Sequence, residues 1–250
     1  LHKEYRRQRQ MCIRDRYLQD RGYYRFNKDF IMYQADTMLN TRKVDLTLKL
    51  LPYQRTKEDP PQPHRQYTLR NVHYILDVDF ATLSEYALQG LDSICSGGVG
   101  LFYKGKPFLR PRVVTDYNYL KPGNLYRNRN VQDTYSALGR LSILKYSNIR
   151  FDEVNLPNDS TQLDAYVFLS KNKKKSLSFE IEGTNSAGDL GAAASVSFTH
   201  RNLFKGSETF TLELRGAYEA VSGLEGYANS NYMEYAVESL SLIHISEPTR

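Results

Sequence analysis

Alternation of apolar and polar residues is strongest in the last third of the chain. Leu177, Phe179 and Ile181 alternate with serine and glutamate, and the same period of two returns over 192–201 and 210–215. A period of two is typical of β-strands with one apolar and one polar face. The pattern predicts three consecutive strands of about 9–11 residues, which is enough to cross a bilayer as tilted barrel strands. An ordinary antiparallel sheet with one solvated face gives the same pattern.

The middle of the chain combines strand and helix periods. Val131, Tyr135 and Leu138 recur at helical spacing, and Asn128 or Asn130 can supply the N-cap oxygen of that helix. The predicted elements are strands at 67–76, 147–154 and 163–170, a short helix at 109–120 and the clearest helix at 128–141. Their order is strand, helix, helix, strand, strand.

A stretch without a clear period, 77–106, follows the first of these strands. It contains Ser96-Gly-Gly-Val-Gly100, which lacks the lysine and the following helix of a phosphate-binding loop. The glycines therefore predict a flexible surface loop.

Two further strand patterns, at 30–36 and 44–51, precede the middle region, and residues 37–43 between them suit a hairpin turn. The next segment, 54–66, is polar and contains three prolines. Because proline resists both helices and central strands, this segment is predicted to be a stiff, extended linker.

The net charge is +6, from 34 lysines and arginines and 28 aspartates and glutamates, and it points at first to a nucleic-acid or anionic-membrane partner. The excess is uneven, because residues 1–16 carry six basic and two acidic side chains, a net of +4. Residues 1–16 and 241–250 resemble peptides that arise when a sequencing adapter is translated in frame, so we predict that both are non-native tails. Since 241–250 is neutral, the remaining 17–240 carries only +2. The nucleic-acid interpretation loses its main support.

No catalytic or metal-binding motif stands out. Cys12 and Cys95 have no paired spacing, and no histidine has a second ligand at metal-binding spacing. His73 and His200 fall within strand patterns, and there is no Gly-x-Ser-x-Gly nucleophile elbow. We therefore expect no enzymatic activity, no cofactor and no metal.

A basic run, Lys171-Asn-Lys-Lys-Lys175, separates the middle region from the alternating strands. Two interpretations are open: a solvated linker, or a patch that attracts the anionic headgroups of a membrane. The run has no nearby aromatic platform and no groove-entering helix, which argues against a nucleic-acid partner.

Residues 179–191, followed by 196–208, resemble the start of the barrel in the BamA/TamA-type family of bacterial outer-membrane assembly proteins. The motif that resembles the first periplasmic turn of that barrel comprises Arg201, Asn202, Leu203, Phe204, Lys205 and Gly206. Upstream, Leu120-Lys-Pro-Gly-Asn-Leu-Tyr126 and Leu138-Gly-Arg-Leu141 resemble the centre of a POTRA domain, which has the order strand, helix, helix, strand, strand.

The resemblance implies an α+β fold in which POTRA domains (β-α-α-β-β) precede the first antiparallel strands of a transmembrane β-barrel of sixteen strands. Together with the tails and the linker, it gives six segments. They are a non-native tail at 1–16, the C-terminal part of a POTRA domain at 17–53, a proline-rich linker at 54–65, a complete POTRA domain at 66–171, about three barrel strands at 172–240 and a second non-native tail at 241–250.

The implied function is the assembly or insertion of β-barrel proteins in the bacterial outer membrane, with the POTRA domains in the periplasm. An exposed strand edge offers unpaired N–H and C=O groups to an incoming strand. The first barrel strand is the implied client seam, formed by Ser176, Leu177, Ser178, Phe179, Glu180, Ile181, Glu182, Gly183 and Thr184. A second candidate edge is 145–154 in the POTRA domain.

The implied partners are unfolded outer-membrane β-barrel clients, periplasmic chaperones or assembly subunits, and outer-membrane lipid. Two alternatives remain open: a translocator of the same superfamily that secretes a partner protein, and a soluble periplasmic binding module. The soluble module predicts that the apolar face of 176–220 is buried by the chain's own helices. The barrel predicts that this face is open.

Overall fold

The computed structural model describes residues 16–36, 45–56, 58–77, 90–154, 161–186, 189–221 and 230–242. Its strands form a two-stranded, a five-stranded and a four-stranded sheet. The predicted hairpin turn at 37–43, residues 1–15 of the first predicted tail and residues 243–250 of the second lie outside the described residues. In the described part of the chain, no helix is long and apolar enough to cross a membrane.

The two-stranded sheet is the predicted N-terminal hairpin, in which β1 (Ile31–Asp36) pairs antiparallel with β2 (Asp45–Leu50). A single 3-10 turn, Lys28–Phe30, leads into it.

The proline-rich segment after this hairpin is not the extended linker that the sequence predicts. It folds back on itself, because Tyr53 and Gln62 exchange backbone hydrogen bonds of 2.9 Å in both directions. The carboxylate of Asp59 accepts hydrogen bonds from the N–H and the hydroxyl of Thr56, at 3.0 and 2.8 Å. Proline removes backbone donors, but these few bonds use other residues and are enough to close the loop.

The five-stranded sheet and two helices form a unit that we call the α+β domain, residues 66–171. Its elements are β3 (Thr68–Leu76), β4 (Asp92–Ser96), β5 (Val99–Tyr103), α1 (Pro111–Asp116), α2 (Asn128–Gly139), β6 (Leu144–Val154) and β7 (Gln162–Lys171). The strand order is β4-β5-β3-β7-β6, with β3 parallel to both of its neighbours. The predicted strand, helix, helix, strand, strand order is present, with one hairpin added after β3.

The core of the α+β domain lies between the sheet and the two helices. Leu69, Leu163 and Leu169 of the strands share one buried cluster with Val114 of α1 and Leu138 of α2. Each of these side chains is at most 2 % exposed. Full burial of such a side chain stabilises the fold by about 1.5–3 kcal/mol.

The prediction of a flexible glycine loop is wrong, because residues 92–103 form the β4–β5 hairpin. Gly97 and Gly98 occupy its two-residue turn with φ of 59° and 78°. Glycine adopts this left-handed conformation without steric cost. The period was hidden because β4 is a largely exposed edge strand, whereas β5 buries Val99 and Leu101.

Helix α2 begins at Asn128, but its cap is not the one that the sequence predicts. Arg127 occupies the N-cap position, and no side chain makes a local cap hydrogen bond. The backbone N–H of Arg129 instead donates to Asp20 Oδ1 at 2.7 Å. A residue of the N-terminal segment therefore satisfies a free donor of the first helical turn.

The four-stranded sheet, which we call the amphipathic sheet, is an antiparallel meander. Its strands are β8 (Lys175–Ser186), β9 (Asp189–Arg201), β10 (Thr209–Val221) and β11 (Ser230–Leu242), in that spatial order. The sequence predicted about three strands, so β11 corrects that number. Its apolar residues lie on both faces, with Tyr232 and Leu240 opposite Met233 and Val237, which hides the period. The strand also continues two residues into the predicted tail at 241–250.

Candidate functional site

The nine predicted seam residues, 176–184, all lie in β8 at one end of the amphipathic sheet. Strand β8 pairs with β9 along its length, and no other described strand pairs with its outer side. The outer edge of β8 therefore presents backbone N–H and C=O groups to an approaching chain. Near the start of this edge, the Ser176 hydroxyl accepts a hydrogen bond from Arg201 Nη1 at 3.1 Å.

One face of the amphipathic sheet is apolar and open. The register places Phe179 of β8 beside Val196 of β9. The exposed fraction is 57 % for Leu177, 69 % for Phe179 and 88 % for Ile181. Exposed apolar side chains continue across the sheet through Leu214, Tyr218, Met233, Tyr235 and Val237. At this exposure, no described part of the chain covers the face.

Over β8, β9 and β10, the opposite face of the amphipathic sheet carries mainly serine, threonine and charged side chains. Ser178 pairs with Ser197 across the β8–β9 register. Towards the strand ends away from the β9–β10 turn, Arg215 Nη2 of β10 forms an ion pair with Glu182 Oε2 of β8 at 3.2 Å. The pair reaches across β9. Over β8, β9 and β10, an apolar face alternates with a largely polar one, which is the arrangement of barrel strands that separate lipid from a polar interior.

The predicted turn motif connects β9 to β10. Asn202 and Ser207 have φ of 69° and 65°, and each is only 4 % exposed. Asparagine tolerates this left-handed conformation better than most residues. The backbone N–H of Asn202 donates to Glu208 O at 2.6 Å, and Asn202 Oδ1 accepts from the N–H of Ser207 at 3.0 Å. These bonds close the turn.

The turn is also docked on the α+β domain, through contacts that we call the joint. Asn202 Nδ2 donates to the buried carbonyl of Phe108 at 2.6 Å. The N–H of Arg110 donates to Lys205 O at 2.9 Å. Sequence reasoning missed this joint, because backbone acceptors such as the Phe108 carbonyl leave no mark in a residue pattern.

A second part of the joint involves hydroxyl groups. The Ser142 hydroxyl donates to Ser207 O at 3.1 Å and accepts from the Thr209 hydroxyl at 2.9 Å. The N–H of Ile143 donates to Ser207 Oγ at 3.3 Å. The joint therefore links the loop after α2 to both ends of the turn and the start of β10.

The Glu208 carboxylate holds the tip of the turn, and the tip exposes two apolar side chains. Glu208 Oε2 accepts from the N–H groups of Phe204 and Gly206, at 3.1 and 3.0 Å. A Cβ atom at Gly206 would overlap this carboxylate, so a larger residue there would displace the Glu208 side chain from the tip. Leu203 and Phe204 remain 46 % and 62 % exposed.

The second predicted edge, 145–154, lies in β6, which is an edge strand of the five-stranded sheet. The N–H of Ile149 donates to the Tyr135 hydroxyl at 2.7 Å. Near the end of the strand, Glu153 forms an ion pair with Arg25 of the N-terminal segment. These contacts occupy part of the β6 edge, so β8 offers the more accessible one.

The histidines of the two strand patterns lie in sheets. His73 of β3 lies against the rings of Phe102 and Tyr166, with centroids 5.3 and 5.2 Å away. Burial lowers the pKa of His73, because the charged ring is poorly solvated there. Among the described residues, neither His73 Nδ1 nor His200 Nδ1 has a hydrogen-bond partner. The same residues contain no cluster of three or more histidine, cysteine, aspartate or glutamate side chains arranged to hold a metal.

The solved structures that are similar to this chain include two bacterial proteins. One is BamA from Haemophilus ducreyi lacking POTRA domains 1–3, which is 11 % identical, with a TM-score of 0.41 over 89 % of this chain and 38 % of that chain. The other is CdiB from Acinetobacter baumannii, also 11 % identical, with a TM-score of 0.37 over 74 % of this chain and 45 % of that chain. No family model and no curated protein matches the sequence. The chain spans less than half of either structure, and likenesses this weak do not identify a family.

Proposed function

We propose that this chain is part of an outer-membrane protein that assembles or inserts β-barrel proteins, with β8–β11 as strands of its own barrel. The observation that carries the proposal is the open apolar face, on which Ile181 is 88 % exposed. A contiguous apolar face is costly in water and marks a surface for lipid or for another protein. A soluble module would require the chain's own helices to cover this face, and its exposure argues against that alternative.

Strand length and the polar face support a lipid-facing role. Strand β8 has 12 residues and β9, β10 and β11 have 13 each. A tilted strand needs about 9–11 residues to cross the hydrocarbon core. The serine, threonine and glutamate side chains on the other face suit the interior of a barrel.

The outer edge of β8 is the proposed site of client pairing. A client strand would satisfy this edge through backbone hydrogen bonds, so the site would select extended segments rather than one side-chain sequence. A client with alternating residues would continue both faces of the sheet, with its apolar side chains in lipid. This requirement matches unfolded outer-membrane β-barrel proteins as clients.

The joint supports a periplasmic position for the α+β domain. The domain contacts the β9–β10 turn, and the chain passes directly from β7 into β8, so the domain lies at the strand ends that carry the turn motif. In the proposal this end of the sheet faces the periplasm and the α+β domain is a POTRA domain. Chaperones or assembly subunits would then meet it before the client reaches β8.

Disulfide crosslinking at β8 tests the proposal. Ser178→Cys is introduced in a Cys12→Ser/Cys95→Ser background, and the full chain is reconstituted in lipid vesicles. It is then mixed with a cysteine-bearing peptide that copies the C-terminal strand of an outer-membrane barrel. We expect a disulfide-linked adduct, because Ser178 lies on the edge strand.

Ser197→Cys is the matched control, since Ser197 pairs directly with Ser178 on the same face but belongs to an interior strand. A scrambled peptide of the same composition tests whether alternation is required. Equal crosslinking at the two positions, or with the scrambled peptide, would contradict pairing at the β8 edge.

A further inference from the structure

A basic cleft lies where the α+β domain meets the amphipathic sheet. Its volume is about 250 Å³, and its walls come from the end of β3, the segment after β5 and the connection from β7 to β8. Lys205 of the turn motif completes the rim. The buried side chains of Leu76 and Phe108 give the cleft an apolar floor.

The charge of the cleft is one-sided. It is lined by Lys104, Lys106, Lys171, Lys174 and Lys205, with Asp77 as its acidic residue. Asp77 forms an ion pair with Lys171. The other four ammonium groups have no carboxylate partner in the part of the chain that the structure describes. Like charges held together repel, and an anion bound among them would remove that repulsion.

The position of the cleft favours a lipid phosphate over a free anion. Lys174 directly precedes β8 and Lys205 lies in the β9–β10 turn, so the basic rim lies at the ends of the strands. Beside Lys205, the side chains of Leu203 and Phe204 are exposed. Apolar tips next to lysines are typical of segments at the boundary between headgroups and acyl chains.

We propose that this cleft binds the phosphate group of an anionic phospholipid in the leaflet that faces the α+β domain. The lysine ammonium groups surround the phosphate, and the apolar floor contacts the glycerol and the first acyl carbons. This inference rests on the proposed function, because it requires β8–β11 to cross the membrane. Its consequence is that a lipid holds the α+β domain against the bilayer, next to the turn.

Vesicle binding by the full chain tests the cleft. Binding to vesicles of phosphatidylcholine alone is compared with binding to vesicles that also contain phosphatidylglycerol. The triple variant Lys104→Gln/Lys174→Gln/Lys205→Gln is the test, and Lys28→Gln/Lys49→Gln/Lys121→Gln removes the same charge outside the cleft. We expect the test variant to lose about 10- to 100-fold of the preference for phosphatidylglycerol. The control should keep most of that preference.

Titration with inorganic phosphate separates the two sources of the anion. If the test variant loses binding of inorganic phosphate in phosphatidylcholine vesicles but keeps the preference for phosphatidylglycerol, the cleft is a free-phosphate site and the lipid assignment is overturned. An equal loss in the control variant would also overturn it, because the preference would then follow overall charge.

Protease protection of β8–β11 in the same vesicles distinguishes the two proposals. Protected strands with no lysine-dependent preference would reject the cleft and leave the proposed function standing. Unprotected strands would reject the membrane-spanning sheet and the lipid assignment that requires it, even if the lysine-dependent preference remained.

Discussion

The α+β domain and the amphipathic sheet contain similar apolar strand residues, but the domain buries them and the sheet leaves them exposed. In the α+β domain, Leu163 and Leu169 of β7 are 0 % exposed, because α1 and α2 cover that face. In the amphipathic sheet, Phe179 and Ile181 of β8 are 69 % and 88 % exposed. The difference shows that apolar strand residues alone do not specify a hydrophobic core. What covers the apolar face decides whether a strand belongs to a water-soluble fold.

Separating the two regions should give the largest effect. We expect residues 66–171, expressed alone, to be a soluble monomer, because their core is enclosed by their own helices. Residues 175–242 alone should aggregate without detergent, since their apolar face has no cover in water. Size-exclusion chromatography with and without detergent measures this, and a soluble, monomeric 175–242 would remove the basis of the comparison.

The same truncation at one site in each region compares their cores directly. Leu138→Ala in α2 should lower the free energy of unfolding of the α+β domain by about 2–5 kcal/mol, because it leaves a buried cavity. Leu177→Ala in β8 should leave the unfolding transition of the α+β domain unchanged, because Leu177 is 57 % exposed and lies outside that domain. Urea unfolding of the full chain in detergent, followed by circular dichroism, measures both. Equal shifts would mean that the two regions share one core.

A lysine placed on one or the other face of β9 tests which face contacts lipid. Val196→Lys on the apolar face of β9 should weaken membrane insertion by about 2–4 kcal/mol, the cost of a lysine near the bilayer midplane. Ser197→Lys, one residue along and on the polar face, should insert almost normally. Vesicle flotation after alkaline washing measures insertion. If the two variants behave alike, the apolar face does not meet lipid.

The joint between the two regions depends on Asn202. Asn202→Gly keeps the left-handed backbone but removes both side-chain hydrogen bonds, which leaves the Phe108 carbonyl and the Ser207 N–H unsatisfied. We expect a loss of about 1–3 kcal/mol in the coupling of the two regions. Faster hydrogen exchange at Phe108, Arg110 and Ser142 is the readout. Phe204→Ala, at the exposed tip of the same turn, is the control that should leave exchange unchanged.

The smallest expected effect is a pH dependence confined to the α+β domain. Burial lowers the pKa of His73 from its ordinary value of 6.5, so the unfolded chain binds more protons than the folded one as the pH falls. The folded α+β domain therefore has its full stability above pH 6.5, the ordinary pKa of histidine, and loses stability as the pH falls below it. His73→Gln should therefore reduce the slope of unfolding free energy against pH between about 5 and 7. His64→Gln is the comparison variant, and an identical effect from it would exclude the assignment to His73.

Local patterns predicted most of the regular elements. The period of Val131, Tyr135 and Leu138 located α2 to within two residues, and the alternation around Phe179 and Phe198 located β8 and β9. These predictions succeed because the period of side chains along a strand or helix is a property of consecutive residues. The β4–β5 hairpin and β11 were missed where apolar residues are few or lie on both faces.

The sequence by itself determined most of the strands, where the two-faced pattern runs over β8–β10 and where the turn motif lies. Only the tertiary structure decided that Asp20 supplies an acceptor to α2, that 54–66 folds back, and that Asn202 docks on the Phe108 carbonyl. Only the tertiary structure, too, leaves the outer edge of β8 unpaired by any described strand, while Tyr135 contacts the β6 edge. These outcomes depend on contacts between residues far apart in the chain, and a local period carries no information about them.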